Sequence, residues 1–183
     1  MVSIITGRSL LWTLVFFVFF ASMGGVVVYK RLDFSGRKTL QTRIIIGLSG
    51  GFLGTIAYDL SRYFIYLFFP LSIWPFEAIP LFGRLLAGDS FSQSWILGFG
   101  ILYHLTNGIA FGIAYSILFA PRGWIAGVSW ALVLEALMLS IYPGWLGVQF
   151  FAEFATISVT GHLAYGFVLG TFCRWDFLKR MRR

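Results

Sequence analysis

Two apolar stretches of this chain carry the same pattern of one histidine followed by two glycines. Residues 104–112 read HLTNGIAFG and residues 162–170 read HLAYGFVLG. Because the three residues are four apart, they lie along one face of a helix, where glycines let neighbouring helices approach closely. An imidazole is costly inside a membrane, and it usually faces the protein interior and marks function. The glycines expected to pack against other helices are Gly108, Gly112, Gly166 and Gly170.

Further polar side chains fall inside the apolar segments at similar depths. Counting ~1.5 Å per residue from the cytoplasmic ends places Asp59 and His104 near 24 Å, in a hydrocarbon core about 30 Å thick. The same count places Asn107, Glu135 and His162 near ~18 Å. Four helices therefore bring a carboxylate or an imidazole into one slab, which predicts a single buried cluster. We expect these five residues to bind an ion or a small solute.

Glu135 and His162 have the chemistry of a proton-sharing pair. Glu135 has no basic residue within a helical turn, so it must be protonated or paired with an imidazole of another helix. A carboxylate beside an imidazole shares one proton, as an ion pair or as a neutral hydrogen-bonded pair. Asp59 and Arg62, in contrast, are three residues apart and are expected to pair on one helix face.

Other uses of the histidines stay open. His104 and His162 could ligate a haem between two helices, with the glycines leaving room for the flat ring. They could also bind a metal ion together with the carboxylates. The simplest expectation is that no cofactor is bound. The polar groups could also serve helix packing alone.

The composition is that of an integral membrane protein. Of 183 residues, 58% are hydrophobic and 11% charged, whereas a soluble domain has about 25% charged residues. This length holds about five spans of ~20 residues and no additional soluble domain. The net charge of +7 lies at the ends of apolar segments, which indicates contact with lipid headgroups and excludes nucleic-acid binding. The single cysteine, Cys173, excludes an intrachain disulfide.

The apolar segments predict an all-α protein, a single transmembrane domain over residues 1–183 with five membrane-spanning helices. The segment 70–94 is rich in proline and aromatic residues, unlike a solvated loop, and predicts a short interfacial helix near Ala78–Ala87. A lid over an outward-facing cavity is the alternative for this segment. The five spans are expected near residues 9–29, 44–69, 95–120, 124–142 and 151–173.

The basic residues predict the orientation. Eleven of the 14 Lys and Arg residues lie between spans one and two, between spans three and four, or after span five. These segments share one side of a five-span protein, and the positive-inside rule places them in the cytoplasm. The N-terminus is therefore expected outside and the C-terminus inside, in the plasma membrane, that is, a bacterial inner membrane.

Short motifs between residues 44 and 172 carry a resemblance. They are Gly50-Gly51, Gly54, Tyr58-Asp59 and Arg62; His104, Asn107-Gly108 and Phe111-Gly112; and Gly161-His162 with Tyr165-Gly166. In these motifs the chain resembles small polytopic bacterial membrane proteins of unknown function. The resemblance implies the fold and the membrane location, and it implies no activity.

Spans two and three look like a weak duplicate of spans four and five. Each pair runs from a carboxylate-bearing helix, with Asp59 or Glu135, to a histidine-bearing helix. Parallel repeats of this kind occur in transporters, where the binding site lies between the repeats. We therefore expect the chain to move a proton, an ion or a small solute, as a homo-oligomer or with other membrane subunits. The alternatives are a non-catalytic accessory or assembly subunit, and an intramembrane redox or lipid-modifying enzyme; an enzyme is the less favoured class.

Overall fold

The computed structural model of the protein describes residues 10–88, 90–146 and 150–182, and the side chains of 12–88, 90–140 and 150–182. In this part of the chain the fold is all-α, as predicted. Gly123 separates a short 3-10 turn at Ala120–Arg122 from the helix that follows. The six α-helices are α1 Leu10–Arg31, α2 Phe34–Phe68, α3 Ala78–Ala87, α4 Gln93–Phe119, α5 Trp124–Leu146 and α6 Phe151–Met181.

The long helices are those of a multi-pass membrane protein. Four described segments are long and apolar enough to cross a membrane, and they correspond to α1, α2, α4 with its 3-10 turn, and α6. The fifth predicted span corresponds to α5, whose described apolar part, Trp124–Ser140, is shorter. The structure thus supports four of the predicted spans by length and composition, whereas the fifth span and the orientation stay predictions.

Two helices extend beyond the apolar windows that predicted them. α2 begins at Phe34 rather than near residue 44, and α6 continues to Met181 rather than ending near residue 173. Hydropathy detects only the apolar part of a helix, so polar turns at its ends are missed. The start of α2 is fixed by Asp33, whose carboxylate accepts a hydrogen bond from the Gly36 amide at 2.8 Å. Such a cap satisfies an amide that the first helical turn leaves unpaired.

The helices pack in an uneven arrangement. α2 packs extensively against both α4 and α6, and α6 packs extensively against α5. α4 and α5 contact each other only slightly, so the group formed by α2, α4, α5 and α6 is open between α4 and α5. α1 contacts α3 slightly, and no part of its apolar window is buried. The buried core side chains are Ile46, Tyr115, Ala131, Tyr165, Leu169 and Cys173.

The short helix α3 has the predicted bounds and is fixed on α4. Phe82 and Gly83 of α3 are buried. A β-carbon at Gly83 would overlap the carbonyl oxygen of Ile96, and one at Gly100 of α4 would overlap the carbonyl oxygen of Ile79. One glycine from each helix therefore allows backbone contact, and α3 is packed on the bundle rather than resting freely on its surface.

Candidate functional site

A partly open cavity of about 120 Å³ lies where α2 and α5 approach their C-terminal ends and α4 and α6 begin. Helices α2 to α6 all contribute to its wall, and we call it the α3-end cavity. Its polar side comprises Tyr58, Arg62, His104, Asn107 and His162. Its apolar side includes Ile79, Phe82, Phe111, Met138 and Phe154. The cavity is therefore amphipathic.

The first polar pair joins α2 to α4. Nε2 of His104 lies 3.0 and 3.1 Å from the two carboxylate oxygens of Asp59. Both oxygens of an ionised carboxylate only accept hydrogen bonds, so Nε2 carries the proton that is donated to them. The side chains of His104 and Asp59 are 25% and 30% exposed. Nδ1 is then the ring nitrogen of His104 that remains free to take up a proton.

The second polar pair joins α5 to α6 and is more deeply buried. Nδ1 of His162 lies 2.8 Å from Oε2 of Glu135 and 3.0 Å from the backbone oxygen of Ser158. Because a carbonyl oxygen only accepts, Nδ1 carries a proton and Nε2 is the free nitrogen. The hydroxyl of Ser158 also donates to Oε2 of Glu135 at 3.0 Å. The predicted contact between Glu135 and His162 is present, and the Glu135 side chain is only 2% exposed.

The prediction that the carboxylates and histidines form one buried cluster is wrong. Within the described residues, no group of three or more His, Cys, Asp or Glu side chains could hold a metal ion. The structure has two separate pairs instead, because each carboxylate faces the histidine helix of its own half. The ring of Tyr58 lies beside both imidazoles, with centroid distances of 5.8 Å to His104 and 4.9 Å to His162. Nε2 of His104 and Nδ1 of His162 are engaged by carboxylates.

The predicted pair of Asp59 and Arg62 is also wrong. Asp59 turns to His104, whereas Cζ of Arg62 lies 4.8 Å from the ring centroid of Tyr58 and 5.3 Å from that of Phe76. Arg62 is only 6% exposed, and its Nε is buried without a hydrogen-bond partner among the described residues. A same-helix spacing argument cannot detect a stronger partner on another helix.

The remaining residues of the site are Asn107, Tyr58 and Ser158. Asn107 lines the cavity. The sequence argument missed Tyr58 and Ser158. Ser158 could have been found, because it precedes His162 by four residues and so shares its helix face.

The two pairs stand on the same glycine framework. Gly47 and Gly51 of α2 contact Gly108 and Gly112 of α4, and Gly123 and Gly127 at the start of α5 contact Gly166 and Gly170 of α6. In each half, two glycines four residues apart precede the carboxylate by twelve and eight residues. A β-carbon at Gly166 would lie 2.5 Å from the carbonyl oxygen of Gly127. The two halves thus share spacing, helix order and pairing chemistry.

The fold and the site define the class of this protein, a helical multi-pass membrane protein with an amphipathic cavity. Comparison with known proteins finds no matching family model, no matching curated protein and no matching solved structure. The resemblance to small bacterial membrane proteins therefore stays a prediction. The functional conclusion rests on the cavity and on the side chains that line it.

Proposed function

We propose that this is a five-span protein of the bacterial plasma membrane that moves protons through its two histidine–carboxylate pairs, with a small solute held in the α3-end cavity. One observation carries the proposal. His104 and His162 both line the same cavity, and in each histidine a carboxylate holds one ring nitrogen, which leaves the opposite nitrogen as the one that can take up a proton.

This geometry suits proton transfer. When the free nitrogen of an imidazole takes up a proton, the ring becomes a cation, and a carboxylate on the opposite nitrogen stabilises it. The carboxylate also fixes the ring orientation, so the free nitrogen keeps its position. Two such groups on either side of Tyr58 give a proton two acceptors at one cavity. Packing alone requires no free ring nitrogen.

The glycine framework supports access from one end of the bundle. Gly108 forms part of the cavity wall, and beyond it Gly112 is in backbone contact with Gly47 and Gly51. Backbones this close leave no room for water between α2 and α4. Under the proposed orientation the α3 end faces outside, so transport requires a second state that opens towards the cytoplasm. The slight contact between α4 and α5 makes this pair of helices the one that we expect to move.

Proton flux in proteoliposomes tests the function. Liposomes loaded with a pH-sensitive dye and given a potassium diffusion potential should acidify faster with the wild type than without protein. Glu135→Gln is nearly isosteric and should reduce the flux to the level of protein-free liposomes. Glu77→Gln is the matched control, because Glu77 is exposed before α3 and does not line the cavity.

Two outcomes would contradict the proposal. A wild type that matches protein-free liposomes would exclude proton movement. A Glu135→Gln variant that is folded and as fast as the wild type would leave the pair as a packing element, and the accessory-subunit function would then lead.

Cysteine labelling tests the orientation. Arg84 and Lys38 are exposed, and the native Cys173 is buried, so it gives little background. A membrane-impermeant reagent added to intact cells should modify a cysteine introduced by Arg84→Cys and should leave one introduced by Lys38→Cys unmodified until the cells are opened. The reverse labelling pattern would invert the proposed topology.

A further inference from the structure

We propose that the α3-end cavity binds an oxyanion that carries an apolar body, and that Arg62 holds the charged end. This inference rests on the proposed function, since it names the class of solute for the same cavity. A small organic acid and an anionic lipid share this chemistry, a carboxylate or phosphate joined to hydrocarbon. The two sources are separated by the experiment below.

Arg62 is a buried cation without a counter-ion among the described residues. It is 6% exposed, and its Nε is buried without a hydrogen-bond partner among the described residues. A guanidinium keeps its proton in proteins, so burial cannot neutralise it. A buried charge is costly unless it is paired. The nearest candidate on its own helix, Asp59, is already engaged by His104. An anionic ligand in the cavity would supply the missing partner.

The neighbours of Arg62 leave one edge of its guanidinium available for a ligand. The rings of Tyr58 and Phe76 lie against the guanidinium, a contact that favours the cation and leaves its N–H edge for a ligand. Gly161 of α6 makes room for this arrangement, because a β-carbon there would lie 2.7 Å from Cδ2 of Tyr58 and 3.1 Å from Cδ of Arg62. A guanidinium edge fits the two oxygens of a carboxylate or phosphate.

The rest of the cavity wall suits an apolar body. Beyond the polar groups, the cavity is lined by side chains that include Ile79, Phe82, Met138 and Phe154. Its volume is about 120 Å³, and an apolar cavity of about 150 Å³ in another protein holds benzene. The space therefore suits a body of up to about six carbon atoms or the end of a longer chain. An inorganic anion would leave the apolar wall unused.

The charges at the cavity connect this ligand to protons. With both imidazoles neutral, Asp59, Glu135 and Arg62 give the site a single negative charge. With both imidazoles protonated, the site carries a single positive charge. An anion is therefore held best when the histidines are protonated, so binding should take up protons.

Thermal unfolding of the purified protein in a neutral detergent tests the inference. Octanoate should raise the unfolding midpoint by several degrees, and octanol, its uncharged counterpart, should not. Dihexanoylphosphatidylglycerol, compared with dihexanoylglycerol, tests the lipid source, and the probe with the larger shift identifies it. Inorganic phosphate tests a bare anion. A shift with phosphate as large as with octanoate, or no shift with octanoate and the phospholipid, would overturn the proposal.

Variants of Arg62 test its role. Arg62→Met should abolish the octanoate shift while the unliganded protein unfolds no earlier than the wild type, because an unpaired buried charge is removed. Arg62→Lys keeps the charge, loses the two-nitrogen edge and should weaken octanoate binding at least about tenfold. Arg84→Met, at an exposed arginine, is the control and should keep the full shift. An unchanged octanoate shift in Arg62→Lys or Arg62→Met would overturn the assignment.

The ligand-binding and proton-flux experiments can refute the two proposals independently. Octanoate binding without proton flux would refute the proposed function and leave the ligand site standing. Proton flux without any octanoate or phospholipid shift would refute the ligand site alone.

Discussion

The half formed by α2 and α4 and the half formed by α5 and α6 use one framework to make two different polar pairs. In the first half the side chains of Asp59 and His104 are 30% and 25% exposed, whereas in the second Glu135 and His162 are 2% and 15% exposed. The glycine spacings are the same in both halves, and in each half glycines of the two helices pack against one another. The glycine framework therefore brings the helices together, whereas the residues around each histidine–carboxylate pair determine how far water reaches that pair.

The position four residues before each histidine shows how the halves diverge. In α4 it is Gly100, whose missing side chain lets the backbone of α3 approach at Ile79. In α6 it is Ser158, which donates a hydrogen bond to Glu135. The first half uses this position to seat α3, and the second uses it to hold a buried carboxylate. We infer that the first pair is the more accessible to the solute and to water, and that the second is the more deeply buried.

The largest effect should come from the glycines that follow the histidines. In Gly166→Ala the new β-carbon would meet the backbone of Gly127, which cannot rotate away, so we expect a loss of about 3 kcal/mol or more and little folded protein. In Gly108→Ala it would meet the side chain of Thr55, which can rotate at the cost of its bond to Gly51. Gly108→Ala should therefore be the less destabilised variant and should yield folded protein, as measured by size-exclusion chromatography and thermal unfolding.

Gly98→Ala is the control for both substitutions, because nothing lies within 4 Å of a β-carbon at this position of α4. Equal destabilisation by Gly166→Ala and Gly108→Ala would show that the two frameworks are equally tight. An unaffected Gly166→Ala would show that α5 and α6 do not pack as described.

A smaller difference should appear in double-mutant cycles on the two pairs. Replacing Glu135 and His162 by leucine, singly and together, should give a coupling of about 2 kcal/mol, because either single change leaves a buried polar group unpaired. The matching cycle on Asp59 and His104 should give under about 1 kcal/mol, because water reaches this pair. Unfolding free energies in mixed micelles measure both. A larger coupling in the first pair would reverse the assigned order of burial.

A loss no larger than the coupling within the second pair should come from Ser158→Ala. Removing the hydroxyl takes one donor from the carboxylate of Glu135, which should cost about 1–2 kcal/mol. His162 keeps its contact with the backbone oxygen of residue 158, so the ring orientation should survive. Thr156→Ala is the control, since this exposed hydroxyl of α6 bonds only to the backbone of Ala152. If the two variants were equally stable, the Ser158 hydroxyl would contribute nothing to the buried pair.

The sequence predicts the depth of a side chain in the membrane better than it predicts which neighbouring helix the side chain faces. Counting residues along apolar segments placed Glu135 and His162 at one depth, and these side chains are in contact. The bounds of α3 followed from proline and aromatic residues in a segment that hydropathy alone would have left as a loop. Both predictions depend on positions along each helix and not on how the helices face one another.

Properties that depend on how helices face one another could not be predicted in the same way. A spacing of three residues made Arg62 a reasonable partner for Asp59, but the rotation of α4 decides that His104 is closer. Similar depth suggested one cluster, although the side chains divide into two pairs around Tyr58. The glycine framework was visible in the sequence, whereas the packing of its two halves was not.

The backbone contact between α3 and α4 sets a timescale for ligand exchange. Because Gly83 and Gly100 lock the two helices together, α3 cannot swing aside without carrying α4 with it. Movements of whole helices take microseconds to milliseconds, whereas side chains rotate in nanoseconds. Because the cavity is partly open, exchange with its surroundings does not require the helices to move, and a solute can equilibrate many times before the helices move once.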